Sequence, residues 1–397
     1  MMGVLDRIRE FFLLRGNIPA LVVNRVIDST GWQMFEIIFQ PYVLSLGGSI
    51  PVLGLINSVY TGLLSVLQFG TGELSDSWGR KRLMMISYIL SLIGIVVAYF
   101  AGSWEIMILH AVIAGVGDSL GEPSIMPLFA ESVEEDQRGT AFSLLSLCWF
   151  LPGFYAYLLA GYLAEGYGNR LIIGILFVTE ALSFLIFAFF VKETLTEKRP
   201  VELGNFFRKA RESLTPSGDL GVFYTFSILV QVAMAMSGGI FIAMIYESTD
   251  LTMLQIGTLS MALAVSTTLM LIPAGKVVDR FGSKRVLIAS TLLGIALYCG
   301  YITSPVFYGL LALQILRGAI IALFNPAYQA YLSNAVDESE RGKVYGSLNG
   351  LKGMFSIPAP IVGAFLFEAY GFAGTFSVSL VLTLLALGLS FRIREQP

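Results

Sequence analysis

Apolar and polar positions fall in long blocks along this chain rather than at the short periods of a soluble fold. Twelve apolar stretches are each long enough for a helix to cross a hydrocarbon core, which takes about 20 residues. They lie near 17–44, 49–74, 83–101, 104–129, 140–164, 170–191, 219–246, 254–278, 285–303, 306–332, 343–367 and 372–392. Helices are the predicted element, because lipid offers no partner to an exposed peptide group. The two-residue alternation of a membrane barrel is absent. Stretches longer than the minimum are accommodated by tilt or by extension beyond the lipid.

The polar blocks between these spans carry the charge, and its sign sorts by side. Of the 25 basic residues, 21 flank the spans on one face, and the opposite loops hold only Arg170. Basic residues mark the cytoplasmic side. Both termini and the central loop are therefore expected in the cytoplasm, with the chain in the cell (inner) membrane. The central segment, 192–218, is the one long polar stretch and reads as a linker with an interfacial amphipathic helix near Leu203–Leu214. The expected division is a six-helix bundle over 1–191, this linker, and a second six-helix bundle over 219–397. The first 17 residues are mixed and charged, without the apolar core of a cleavable signal.

Composition narrows the function classes. The 397 residues are 55% hydrophobic and 13% charged, about half the charge of an ordinary soluble domain. A net charge of −3 gives no basic field for nucleic acid. Cys148, Cys299 and His110 are too few for a disulfide framework or a metal centre. No phosphate-cradling G-x-x-x-x-G-K-[ST] loop is present. Neither an enzyme nor a cofactor is expected.

The chain also repeats itself. GELSDSWGRKR at 72–82 matches GKVVDRFGSKR at 275–285, pairing Gly72, Asp76, Gly79 and Arg82 with Gly275, Asp279, Gly282 and Arg285 at an offset of 203. The same offset pairs Gly54 with Gly257, Pro123 with Pro326, Arg138 with Arg341, and Tyr167–Gly168 with Tyr370–Gly371. A gapless offset over this length implies duplication. It predicts an all-α integral membrane fold of twelve transmembrane helices, as two six-helix bundles related by a parallel pseudo-twofold repeat. Such repeats place a substrate path at their interface. In the repeated turn, Gly79 and Gly282 permit a tight bend, and Asp76 can accept from the free amides of the next helix. Arg80–Arg82 and Lys284–Arg285 are expected to pair with Glu131 and Asp136, or with Asp337 and Glu338, in the matched loops. These groups are expected to form a charge latch.

The loop after span two fits G-x-L-x-D-x-x-G-R-K through Gly72, Leu74, Asp76, Gly79, Arg80 and Lys81. On these residues, the span count and the duplication, the chain resembles the major facilitator superfamily, most like its drug–proton antiporter branch. The resemblance implies alternating access by rocking of two halves. It also implies that Asp76 and its partners stabilise the outward-facing state. Two antiporter features differ: Ala111 stands four residues before Gly115 where that branch has arginine, and span five offers only Pro152-Gly153 and Gly161.

Ionisable groups inside spans are costly and mark function or pairing. Span one holds Arg25 and Asp28, three residues apart and able to pair. Asp28, Trp32 and Glu36 continue as an acid–aromatic–acid stripe suited to protons or to a cation with an apolar body. With no local cation, Glu36 reads as the protonation switch. Span four adds Asp118 and Glu122, one turn apart, and span six adds Glu180. Arg317 and Lys352 in spans ten and eleven read as compensating these acids or binding an anion.

The expected function is a proton-coupled transporter that exports small amphipathic or cationic compounds. Its partners are a small-molecule substrate, protons and membrane lipids, and one chain suffices. Two alternatives stay open. One is uptake or exchange of an anionic or neutral solute or lipid, centred on Arg25, Arg317 and Lys352. The other is a non-transporting sensor on the same fold.

Overall fold

The computed structural model describes residues 16–134, 137–195, 220–303, 306–336 and 341–393. Among them, helix follows helix with no strand. Spans one to four are α1 (Ile18–Ser45), α2 (Ile50–Trp78), α3 (Arg80–Tyr99) and α4 (Trp104–Glu131). Span five is broken, because Pro152 and Gly153 turn the chain into a 3-10 segment, Leu151–Phe154, between α5 (Arg138–Phe150) and α6 (Ala156–Tyr167). Span six is α7 (Asn169–Phe190). Span seven also comes in two pieces, α8 (Gly221–Gly238) and α9 (Phe241–Ser248), divided where Gly239 interrupts the run. Spans eight to ten are α10 (Met253–Phe281), α11 (Ser283–Thr303) and α12 (Phe307–Ala335). The final two spans run through α13 (Arg341–Ser356) and α14 (Ala359–Ser390).

Ten helical segments are long and apolar enough to cross a membrane, the last of them the 47 residues Val344–Ser390. A straight helix of that length would run about 70 Å, more than twice the hydrocarbon core. It is not straight. Gly371 has φ 62, and Thr375 Oγ1 donates to the Gly363 carbonyl at 2.7 Å. Twelve residues of continuous helix would hold those groups about 18 Å apart, so the chain doubles back at Gly371. This segment therefore crosses twice. With α1, 28 residues long and unusually polar through Asn24, Arg25, Asp28, Gln33, Glu36 and Gln40, the count is twelve. The helix proposed near Leu203–Leu214 lies outside the described residues.

The duplication is written into the backbone. Gly79 and Gly282 have φ 105 and 84, and Gly168 and Gly371 have φ 80 and 62. Both pairs are 203 residues apart, in a region that side chains with a Cβ seldom adopt. The packing obeys the same offset. A Cβ on Gly54 would sit 2.8 Å from the Pro360 carbonyl oxygen, and one on Gly257 would collide with the Tyr157 carbonyl. Tyr157 and Pro360 are themselves 203 apart. Span two thus presses on span eleven as span eight presses on span five.

The apolar core is distributed unequally between the two ends of the bundle. At the end away from the linker, one cluster joins both halves, including Ile37, Ile56, Ala160, Ile242, Ile256, Leu297 and Phe376. At the linker end two clusters stay apart, one around Leu21, Tyr88, Phe129 and Phe187, the other around Phe223, Val278, Tyr331 and Leu348. Hydrogen bonds close the joined end further. Gln40 Oε1 accepts from the Ala243 amide at 2.7 Å, and Asn57 Nδ2 donates to the Gly239 carbonyl at 2.8 Å. At the start of α10, Thr252 and Gln255 cap each other, and Glu165 from the first half accepts from the Leu254 amide at 2.7 Å. Such orphan amides at a helix start need acceptors, and here one acceptor comes from the opposite half.

Candidate functional site

The polar stripe of span one opens onto a cavity of about 510 Å³ lined mainly by the first half and, from span seven, by Gly238 and Gly239. Arg25 Nη1 pairs with Asp28 Oδ2 at 3.1 Å, and its guanidinium lies 4.2 Å from the centre of the Trp149 ring. Two and three turns of span one beyond Arg25, Trp32 and Glu36 line the same cavity.

Small residues set which helices come close enough to meet there. Gly31 leaves no room for a Cβ against Thr179, so span six packs tightly on span one. That approach brings Glu180, only 2% exposed, alongside Asp28, itself 5% exposed, on the cavity wall that also holds Ser91. Two neighbouring carboxyls can hold one proton between them. Glu180 Oε2 is buried without a hydrogen-bond partner among the described residues. Gly115 plays the same part for span two, since its Cβ position would be 3.1 Å from Leu63 Cβ and the Tyr60 carbonyl. Tyr60 then reaches across, its hydroxyl donating to Asp118 Oδ2 at 2.7 Å. Glu122 lies one turn on, open to the cavity. Glu36 accepts from the Tyr157 hydroxyl at 2.8 Å. His110 is buried, bonded through Nδ1 to the Gly94 carbonyl at 2.9 Å and packed against Phe35, which makes it a structural ring.

The second-half cations stand elsewhere. Arg317 and Lys352 line a separate cavity of about 280 Å³. Neither makes an ion pair with a described residue. Arg317 lies 5.5 Å from the Phe241 ring centre, and Lys352 lies 4.8 Å from that of Tyr328. Asp28 is met by Arg25 and Asp118 by Tyr60, partners within the first six spans.

The repeated turn is assembled in its first copy. Arg80 Nη2 reaches Glu131 Oε1 at 2.6 Å and Asp76 Oδ1 at 3.4 Å. Asp76 does not cap the following helix. Glu193, just beyond span six, does so instead, accepting from the Arg80 and Lys81 amides at 3.2 and 3.1 Å. A carboxylate satisfies free amides and opposes the positive end of the helix dipole. Lys81 Nζ donates to the Ala188 carbonyl at 2.7 Å. All these partners lie before residue 196, so the bonds tie the first half to the start of the linker. In the second copy Gly282 repeats the bend and Asp279 is exposed. Arg138 opens α5 and Arg341 opens α13. Gly72 lies within α2; its substituent and the Arg341 side chain are outside the described set, as are Asp136, Asp337 and Glu338.

Sequence reasoning missed Tyr60, Tyr157 and Glu193. The tyrosines are two among 17, and nothing local distinguishes them. Glu193 follows Lys192 in a charged stretch, where a cap for a helix more than a hundred residues earlier leaves no trace. Among the described residues, no three His, Cys, Asp or Glu side chains gather to hold a metal ion.

Comparison with known proteins places this architecture. The family model of the Major Facilitator Superfamily matches residues 21–237 and 223–397. The chain is 26% identical over 322 residues to the multidrug resistance protein MdtG of Proteus mirabilis (strain HI4320), covering 77% of this chain and 76% of that one. It is 26% identical over 319 residues to the MdtG of Dickeya zeae (strain Ech586), covering 78% and 76%. Among solved structures, the nucleoside transporter NupG superposes with a TM-score of 0.74 at 16% identity, covering 94% of this chain and 97% of that one. The human organic anion transporter MFSD10 (TETRAN) gives 0.69 at 16% identity, covering 94% and 98%. Those two structural likenesses speak to the fold alone. The family match, the apolar helices and the duplicated backbone converge: this multi-pass membrane protein is a transporter, not an enzyme, and belongs to the Major Facilitator Superfamily.

Proposed function

We propose that the chain exports small amphipathic, cationic compounds across the cell membrane in exchange for protons, working as a monomer by alternating access. The observation that carries this reading is the acidic cavity, where the buried carboxyls of Asp28 and Glu180 lie beside Arg25, with Trp32, Asp118 and Glu122 on the same walls. The multidrug names of the MdtG relatives support it.

In this reading the halves 1–191 and 219–397 rock about their interface, and the linker 192–218 and both termini face the cytoplasm. The joined core then lies on the outer side, and the cavity opens inward. A lipophilic cation enters beside Trp32 and Trp149 and competes with the shared proton for the negative charge of Asp28 and Glu180. The proton leaves to the cytoplasm as the cation binds. After the halves rock, the cation leaves outward and a proton returns to the pair. Tyr60 holds Asp118 and Tyr157 holds Glu36 toward the same path. Arg80, with Asp76 and Glu131, fixes the turn between spans two and three and locks it to the linker through Glu193.

The test is proton movement in proteoliposomes holding a pH-sensitive dye, with tetraphenylphosphonium added against a set pH gradient. Wild-type protein should respond with saturable proton flux. Asp28→Asn and Glu180→Gln should each reduce it at least tenfold while reconstituting normally. A response equal to wild type in both variants would overturn the assignment of the carboxyl pair.

A further inference from the structure

The second cavity has a character opposite to the first. No Asp or Glu lines it, whereas Arg317 and Lys352 both do. Its remaining polar surface is amide and hydroxyl, including Gln231, Asn325 and Asn349, and its walls are tyrosines and phenylalanines. Arg317 and Lys352 are half-buried, and withdrawing cations from water without counter-charge is unfavourable, so the cavity offers positive charge to an anion.

The two cations mark the two ends. Lys352 sits over Tyr328, which lies eleven residues after Arg317 on the same helix, a rise of about 16 Å. Lys352 is toward the linker end, since its helix starts there at Arg341, and Arg317 is toward the joined end. Tyr298 and Tyr301 line the same cavity on the joined-end side. The Tyr301 ring is fixed by its hydroxyl bond to Gln314 at 2.8 Å and by stacking on Phe376 at 4.7 Å. Arg317 lies 5.5 Å from the Phe241 ring centre and lines the cavity with Tyr301, and among the described residues no carboxylate pairs with it. A guanidinium fork matches a carboxylate through two parallel hydrogen bonds, which a lysine cannot copy.

We propose that this cavity is a binding site for an aromatic organic anion. Its carboxylate is taken by the Arg317 fork, its ring lies against Tyr298 and Tyr301, and Lys352 is the first cation met from the linker end. The site does not rest on the proton-coupled reading, because it shares no charged residue with the acidic cavity.

The experiment uses the full chain in phosphatidylcholine nanodiscs at one pH with no gradient, titrated calorimetrically with 2-naphthoate and with its neutral amide, 2-naphthamide. The expected result is saturable naphthoate binding, at least tenfold tighter than naphthamide. Arg317→Gln should weaken naphthoate at least tenfold, Lys352→Gln at least threefold, and Arg317→Lys by an intermediate amount. Equal affinity for the acid and the amide in wild type would overturn the site without any variant. So would unchanged naphthoate affinity in Arg317→Gln. Repeating the titration in phosphatidylglycerol nanodiscs separates the sources of the anion: competition that disappears in Arg317→Gln assigns the site to a lipid headgroup, and its absence assigns it to the free acid. Both leave an anion site standing. Failure of proton coupling leaves these binding results unaffected.

Discussion

Gly54 and Gly257, 203 residues apart, make the same contact in the two halves: each presents a bare Cα to the main chain of a helix from the other half, at Pro360 and at Tyr157. The seam between the halves is tight at both points for the same reason, a missing methyl. Overpacking a close contact costs about 1–3 kcal/mol, and every 1.4 kcal/mol is about tenfold in an equilibrium. Gly54→Val should therefore disfavour the observed arrangement by roughly five- to a hundredfold. The measurement is disulfide formation between cysteines at Asn57 and Gly239, in a background lacking Cys148 and Cys299. Crosslinking should be efficient with Gly54 and fall with Gly54→Val, and Gly257→Val should act in the same direction.

Asp28→Ala should destabilise the protein, because it leaves Arg25 without its partner. Breaking a buried pair costs about 3–5 kcal/mol, and the 24% exposure of the Arg25 side chain sets the effect at the lower end. The thermal unfolding midpoint should fall clearly. Adding Arg25→Gln should recover most of the loss, since the uncompensated charge goes with it.

Glu193→Ala removes the acceptor for the Arg80 and Lys81 amides, a cap of about 1 kcal/mol. Its distinguishing readout is proteolysis at the start of the linker. Thr194 is held to Glu131 at 2.6 Å, and Glu193 also accepts from the Thr194 and Leu195 amides. Cleavage beyond 195 should accelerate severalfold in Glu193→Ala, and much less in Glu193→Gln, which keeps an acceptor oxygen.

Thr375→Val tests the reversal that separates the last two spans. It deletes the hydroxyl that satisfies the Gly363 carbonyl inside the bundle and preserves shape. Leaving a buried acceptor without its donor costs about 1–3 kcal/mol. The thermal midpoint should drop by more than it does for Thr303→Val, whose hydroxyl is exposed and bonds only within its own helix.

Much of the architecture was legible because membrane helices announce themselves by length and the repeat by its constant offset. The Arg25–Asp28 and Arg80–Glu131 pairs were legible too, the first from helical spacing and the second from matched loops. Span boundaries slipped where Pro152-Gly153 and Gly239 break the helix without ending the crossing. Meetings between distant helices were not legible. Asp28 meets Glu180 because Gly31 admits span six, and Asp118 meets Tyr60 because Gly115 admits span two. Which glycine faces which helix depends on rotation about the helix axis, and an almost uniformly apolar helix gives little sign of that rotation.

The hydrogen bonds across the joined end share one trait: Gln40, Asn57 and Glu165 each reach for a main-chain group, at Ala243, Gly239 and Leu254. A main-chain carbonyl is present whatever residue occupies the position, and a main-chain N–H is present in all but proline. The recognised partners can therefore change their side chains freely, within the space each allows, without loosening this end. Only proline at 243 or 254 would delete a bond outright. A lineage carrying this seam can explore new side chains along spans seven and eight at little risk to closure, which leaves the cavity walls open to drift toward new cargoes.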